Sequence, residues 1–132
     1  MAEAKTKPTN ASVTEFLNAI ADEQVRSDCK TISKLLQDVT KAKPQMWGRA
    51  IIGFGRKDIH YAGGRVAEWP LMGFSPRKAN IVLYINGGLK PHEALLKSLG
   101  THKTGGGCLY LKRLSDVHMP TLTKLLKASV KA

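Results

Sequence analysis

The central part of the sequence consists of short apolar segments whose connections are too short for a parallel crossover. Each segment is bounded by Gly, Pro, Asn or Asp, a pattern typical of consecutive strands joined by tight turns. Because a parallel pair needs a connection of about a dozen residues or more, consecutive strands here should pair antiparallel. The sequence therefore predicts an antiparallel sheet made from the segments 47–54, 59–62, 71–75 and 81–86.

Helical patterns flank this central part. Ser12 and Glu15 have the spacing of a capping box, in which side chains bond the free amides of a first helical turn. Apolar residues at helical spacing follow in 13–20 and again in 25–39, and the second pattern ends before Pro44. Further along, the sequence predicts a short helix over 92–99, a strand over 108–111 and a last helix that begins near Pro120.

These elements predict one domain. A chain of 132 residues suits a single hydrophobic core. We expect a flexible N-terminal tail over 1–11 and a single domain over 12–132. The order ααββββαβα is typical of a two-layer α+β fold, with the helices packed on one face of a small antiparallel sheet.

The charge of the chain is concentrated in its middle. The net charge is +11, and residues 41–113 contain 13 Lys and Arg against 3 Asp and Glu. Such a segment creates a positive potential that favours anionic partners. A lysine-rich, solvated surface with no ligand is the alternative interpretation.

The sequence has no secretion or membrane signal that we recognise. The polar start MAEAKTKPTN lacks an apolar signal core, and no apolar run approaches the roughly 20 residues that span a bilayer. Two distant cysteines, Cys29 and Cys108, form no disulfide framework. We therefore expect a cytoplasmic protein, a monomer or small homo-oligomer, without a membrane partner.

The stretch GTHKTGGGCLYLK (100–112) is the strongest candidate for a binding loop. It is not a P-loop, because Lys103 and Thr104 precede the glycines and a strand follows them. Amides of a glycine-rich turn can still surround an anion, with nearby cations adding charge. The alternative is a loop that only connects a helix to a strand. The predicted anion-binding residues are His102, Lys103, Thr104, Gly105, Gly106 and Gly107.

A second group of residues predicts the opposite wall of such a pocket. Arg77 and Lys78 lie in a basic turn and could orient an acidic ligand, with Trp47 and Trp69 as apolar walls. Aromatic residues interleaved with cations could instead stack on nucleic-acid bases. The sequence has no RNP-type motif, so we rank nucleic-acid binding below a small ligand.

Catalytic and metal motifs are not evident in the sequence. Cys108 could act as a nucleophile with His102 or His118 as its base, but it begins an apolar strand, where cysteine commonly packs as a small hydrophobe. The four histidines have no metal-ligand spacing. We predict a non-enzymatic protein without a cofactor.

Several segments resemble the YdhG-like family of bacterial domains of unknown function. The most specific are GFSPRK (73–78) and LGTHKTGGGCLYLKRLSDV (99–117), and the resemblance runs in order from about residue 12 to 128. It implies a compact intracellular α+β domain. One branch of the family is described as frataxin-like iron chaperones.

The resemblance makes iron binding an alternative function. A frataxin-like site would use carboxylates near the first helices, where this sequence has Glu15, Asp22 and Glu23. The net charge of +11 opposes the approach of iron cations. We therefore rank a small anionic or phosphate-bearing ligand first, with iron binding and nucleic-acid binding as the alternatives.

Overall fold

In the described part of the chain, two helices precede a run of six strands, and a third helix, two further strands and a fourth helix follow. The computed structural model describes residues 9, 11–48, 50–60, 62–64, 66–77, 80–86, 88–105 and 108–131. The helices are α1 (Val13–Asn18), α2 (Glu23–Thr40), α3 (Glu93–Lys97) and α4 (Met119–Val130). The strands are β1 (Pro44–Trp47), β2 (Ile51–Phe54), β3 (Lys57–His60), β4 (Val66–Trp69), β5 (Met72–Pro76), β6 (Ile81–Tyr84), β7 (Lys103–Gly105) and β8 (Cys108–Leu111).

Six of these strands form the main sheet. Their order is β1-β2-β5-β6-β8-β7, and every neighbouring pair is antiparallel. The strands β3 and β4 form a separate antiparallel pair. The α+β class and the antiparallel sheet are confirmed.

The predicted order ααββββαβα is wrong in the number of strands. The segment 47–54 is not one strand, because the chain reverses after Trp47, with Gly48 at φ 63°, and Ile51 pairs back with Trp47. The strand β4 (VAEW) has no clear alternation of apolar and polar residues, and β7 lies in the stretch predicted as a glycine-rich loop. For both strands, the pairing with a neighbouring strand indicates a strand more clearly than their own residues do.

The chain from β2 to β5 forms one long hairpin with a bend. The alignment that pairs Phe54 with Met72 also pairs Lys57 with Trp69, so no residue is inserted between the two sheets. The regular pairing is interrupted between these two pairs, where Leu71 N donates to the Gly55 carbonyl at 3.3 Å. Gly55, which follows β2 at this interruption, adopts a φ of 73°. The outer half of this hairpin, β3 and β4, is called the arm below.

The hydrophobic core lies between the helices and one face of the main sheet. The helix α2 packs on β5 and β2, and α4 packs on α2 and α3. The fully buried side chains of this core include Ile32 and Leu36 from α2, Leu122 and Leu125 from α4, and Ile52, Phe54, Phe74, Leu83 and Leu109 from the sheet.

The arm is held by buried polar contacts at the end of β6. Lys57 Nζ donates to Asn86 Oδ1 at 2.9 Å, and Asn86 Nδ2 donates to the carbonyl of Ser129 in α4 at 3.0 Å. Ser129 Oγ in turn donates to the Asn86 carbonyl at 2.7 Å. Burial lowers the pKa of Lys57 from its usual value. These bonds fix the arm relative to the sheet and to α4.

The predicted boundary between tail and domain falls partly outside the described residues, which omit 1–8 and 10. Thr9 N donates to the Met46 carbonyl at 2.8 Å, along the edge of β1. The predicted cap of the first helix is present, since Ser12 Oγ accepts from Glu15 N at 3.1 Å at the start of α1.

Candidate functional site

The sheet face that points away from the helices presents three aromatic rings and a thiol. Tyr84 in β6 lies directly opposite Cys108 in β8, and Tyr110 follows two residues later on the same face. Trp69 of the arm contacts Tyr84 edge-on, with ring centroids 6.2 Å apart. All four side chains are partly exposed. With Arg77, they form what we call the outer platform.

Arg77 is the cation of this platform. Its Nη2 donates to Tyr84 Oη at 3.0 Å. Within the described part of the chain Arg77 forms no salt bridge, and its side chain is exposed. A neutral hydroxyl orients the guanidinium without neutralising it, so the positive charge remains available to an anion.

Acidic residues are absent from the strands of the main sheet that carry the platform. The six strands of the main sheet contain no Asp or Glu. The three acidic residues of the basic segment lie elsewhere: Asp58 and Glu68 face each other on the arm, and Glu93 begins α3. Glu68 is bound to Arg56 at 3.3 Å. The positive potential of this segment is therefore not offset on the main sheet itself.

The thiol of Cys108 is not activated. Partial burial raises its pKa, and this effect exceeds the lowering caused by a hydrogen bond with the Tyr110 side chain and by the charge of Arg77. Cys29 is completely buried in α2, and desolvation, together with the nearby Asp28 charge, raises its pKa to about 12. A nucleophilic cysteine needs a lowered pKa, so this arrangement does not favour the alternative in which Cys108 is catalytic.

Alkylation should distinguish the two thiols. With iodoacetamide at pH 7, we expect Cys108 to react more slowly than a free thiol and Cys29 to react only when the protein unfolds, because only thiolates attack. The Cys108 rate should keep rising at pH values where a free cysteine has levelled off. Peptide mass mapping against time gives both rates. Alkylation of Cys108 as fast as a free thiol would contradict this and favour a reactive cysteine.

A cleft lies beside the platform, where the ends of the strands meet the start of α2. Its volume is about 420 Å³, and Arg77, Lys112 and Arg113 supply three cations to its lining. Asp22 and Asp116 also line it, but Asp22 Oδ1 accepts the Gln24 and Val25 amides as the cap of α2. Because Arg77 belongs to both the cleft and the platform, the two features are continuous.

The predicted glycine loop is a strand in part. The residues 103–105 form β7, an exposed edge strand paired with β8. His102 is partly buried, and its Nδ1 lies 2.7 Å from the Gly100 carbonyl. Lys103 and Thr104 are exposed. Gly106, Gly107 and Lys78 lie outside the described residues, so the loop is seen only up to Gly105.

The two tryptophans predicted as apolar walls of the site differ in their exposure. Trp69 lies on the platform, whereas Trp47 has no exposed surface. The ring of Trp47 packs over Gly53 and against Pro70, with the Arg56 guanidinium 5.8 Å from its centroid. Trp47 therefore supports the sheet beneath the arm and does not present its ring to a ligand.

The carboxylates of the iron alternative are not assembled into a metal site. Glu15 lies on α1, Asp22 caps α2 and Glu23 follows in its first turn. Among the described residues, no three His, Cys, Asp or Glu side chains come close enough together to hold a metal ion.

Sequence reasoning missed Tyr110 and the cleft cations Lys112 and Arg113. All three follow Cys108 in the run CLYLKR, which we interpreted as a last strand only. The alternation of this run is the signal that was available, since residues 108 and 110 point to the face opposite Leu109 and Leu111.

In the described part of the chain, no helix has the length and apolar character needed to cross a membrane.

Comparison with known proteins identifies no family for this chain. The chain matches no family model, no curated protein and no solved structure.

Proposed function

We propose that the protein is a non-enzymatic module that binds a small anionic or phosphate-bearing ligand through Arg77. The resemblance of its GFSPRK and THKTGGGCLYL segments to the YdhG-like family belongs to the same proposal. In that case the fold would be shared with other small domains of this family.

The observation that carries the proposal is the state of Arg77. Its guanidinium is oriented by a neutral tyrosine and has no carboxylate partner within the described residues. It also borders a cleft that contains two further cations, Lys112 and Arg113. Arginine in this state can bind a phosphate through two parallel hydrogen bonds.

The geometry favours a different set of partners for Arg77 than the sequence did. Ser75, Val82, Tyr110 and Lys103 follow one another across β5, β6, β8 and β7. Three strand spacings put Lys103 about 14 Å from Ser75, near the far edge of the sheet. Arg77 lines the same cleft as Lys112 and Arg113, so one small anion there can contact these cations without the glycine strand.

Titration with inorganic phosphate tests this proposal. We expect amide shifts in a ¹H–¹⁵N spectrum to concentrate at Arg77, Lys112 and Arg113. Arg77→Ala should weaken binding about tenfold or more, since a hydrogen bond to a charged group contributes about 1.5–3 kcal/mol.

The matched control is Lys124→Ala, which removes the same charge from an exposed position on α4. Lys124→Ala should leave the phosphate affinity within about twofold of the unmodified protein, because exposed charges separated by more than a Debye length are largely screened. Equal losses in both variants would mean that phosphate responds to net charge only, and the proposed site would be wrong.

A further inference from the structure

We propose that the outer platform binds single-stranded nucleic acid, whose bases stack on the exposed tyrosines while its phosphates contact Arg77 and Lys103. This inference rests on the proposed function, because Arg77 serves as the phosphate contact in both. It goes further by naming the polymer that carries the phosphate.

The first argument is the spacing of the two tyrosines. Tyr110 is a diagonal neighbour of Tyr84 across β6 and β8, a relation that separates Cα atoms by about 7–8 Å. Both rings are partly exposed. Between them lies Cys108, whose partner on the edge strand is Gly105, a residue without a side chain. Two successive bases can therefore reach two separate rings.

The second argument is the shape of the surface. Tyr110 leans toward the edge of the sheet, since a methyl group added at Gly105 would meet its ring at 3.5 Å. The surface is a strand-built face bordered by Trp69 on the arm side and by Lys103 at the edge. A sheet face, unlike a closed pocket, covers only one side of a planar ligand, so a polymer that adds stacking contacts in series suits it better than a single small molecule.

The third argument is charge complementarity. Arg77 and Lys103 lie on opposite sides of the tyrosines, and the strands between them contain no Asp or Glu. The cleft with Lys112 and Arg113 continues from Arg77 beyond the ends of the strands. A positively charged surface interleaved with aromatic rings is the combination that tracks a single-stranded backbone.

The test measures binding of a fluorescein-labelled, single-stranded decamer of deoxyadenylate by fluorescence anisotropy, in the presence of three competitors. Polyphosphate of similar length offers charge without bases, adenosine 5′-monophosphate offers one base, and a DNA duplex hides its bases in the stack. We expect the decamer to bind at least tenfold more tightly than each competitor. Its log affinity should fall with log salt, and Arg77→Ala should reduce that slope by about 0.7.

Substitutions at Tyr110 separate stacking from charge. Tyr110→Leu should weaken decamer binding about tenfold, in the range measured for loss of one base–aromatic stack, and should leave polyphosphate binding unchanged. Tyr110→Phe keeps the ring and should bind the decamer like the unmodified protein. Thermal unfolding of each variant verifies that the domain remains folded at the assay temperature, and if Tyr110→Leu is unfolded, Tyr84→Leu against Tyr84→Phe provides the same comparison.

The outcomes distinguish this inference from the proposal on which it rests. Equal binding of decamer and polyphosphate, or an unaffected Tyr110→Leu variant, would overturn the stacking inference and leave phosphate binding at Arg77 intact. Binding of adenosine 5′-monophosphate as tight as that of the decamer would overturn the polymer as the ligand. If neither the decamer nor inorganic phosphate binds, both proposals are wrong.

Discussion

Gly100→Ala should destabilise the protein by about 4 kcal/mol, the largest effect that we expect from a single methyl group. Gly100 has a φ of 115°, and a Cβ there would collide with the carbonyl oxygen of Asp116 and lie 3.1 Å from Val117 Cα. Backbone strain and overpacking each cost about 1–3 kcal/mol. The loss would be a large part of the roughly 5–15 kcal/mol that stabilises a typical domain.

The surrounding backbone cannot easily move to relieve this collision. Thr101 N donates to the Asp116 carbonyl at 3.1 Å, and His118 N donates to the Leu99 carbonyl at 2.7 Å. Gly100 and Val117 are paired between these bonds. A shift of either segment would therefore break hydrogen bonds that connect the start of β7 to the start of α4.

Urea unfolding of Gly100→Ala against Gly63→Ala measures this effect. Gly63 in the turn of the arm also has a positive φ, 89°, but a Cβ there meets nothing within 4 Å. Gly63→Ala should cost only about 1–2 kcal/mol, the strain of a left-handed residue. Equal losses in the two variants would mean that strain alone, and not the contact with Asp116, explains the effect.

Gly53→Ala should have the second largest effect, a loss of about 3 kcal/mol. Its Cβ would lie 2.5 Å from Trp47 Cδ1 and 2.6 Å from Pro70 Cβ, distances at which one of the groups must shift. Trp47 is fully buried and is covered on this side by Pro70 and Arg56. Overpacking at a site without free volume costs about 1–3 kcal/mol and occasionally more.

A double-mutant cycle with Trp47→Leu identifies the clashing group. Leucine is smaller than tryptophan, so Gly53→Ala should cost at least about 1 kcal/mol less in the Trp47→Leu protein, a coupling typical of residues in contact. The free energy of unfolding of all four proteins in urea gives this coupling. Strictly additive losses would show that Pro70 alone, or the strand backbone, absorbs the added methyl group.

The helices were predicted more accurately than the strands because their signals are local. The Ser12 cap, the Cys29 core position and Pro120 in the first turn of α4 all occur as expected. The strands β4 and β7 are not predicted from the sequence, because VAEW and KTG have no clear alternation of apolar and polar residues. They are strands because a neighbouring strand pairs with them, which is a non-local condition.

Two residues of the candidate site, Arg77 and Trp69, were named from the sequence. Arg77 was identified from its basic turn, but the sequence assigned it the glycine loop as a partner. In the structure its guanidinium donates to Tyr84, and the loop begins with the exposed edge strand β7. Contacts across a sheet depend on strand order and register, and neither can be read from the spacing of residues along the chain.

The sequence by itself determined the α+β class, the antiparallel sheet and the concentration of positive charge between residues 41 and 113, because composition and short-range spacing carry that information. Only the tertiary structure decided that β8 lies between β6 and β7, and therefore that Tyr84, Cys108 and Tyr110 share one face. It also decided that Trp47 is buried while Trp69 contacts Tyr84. The physical reason is that strand order and the contact of the arm with the sheet join segments far apart in sequence, which short-range spacing does not encode.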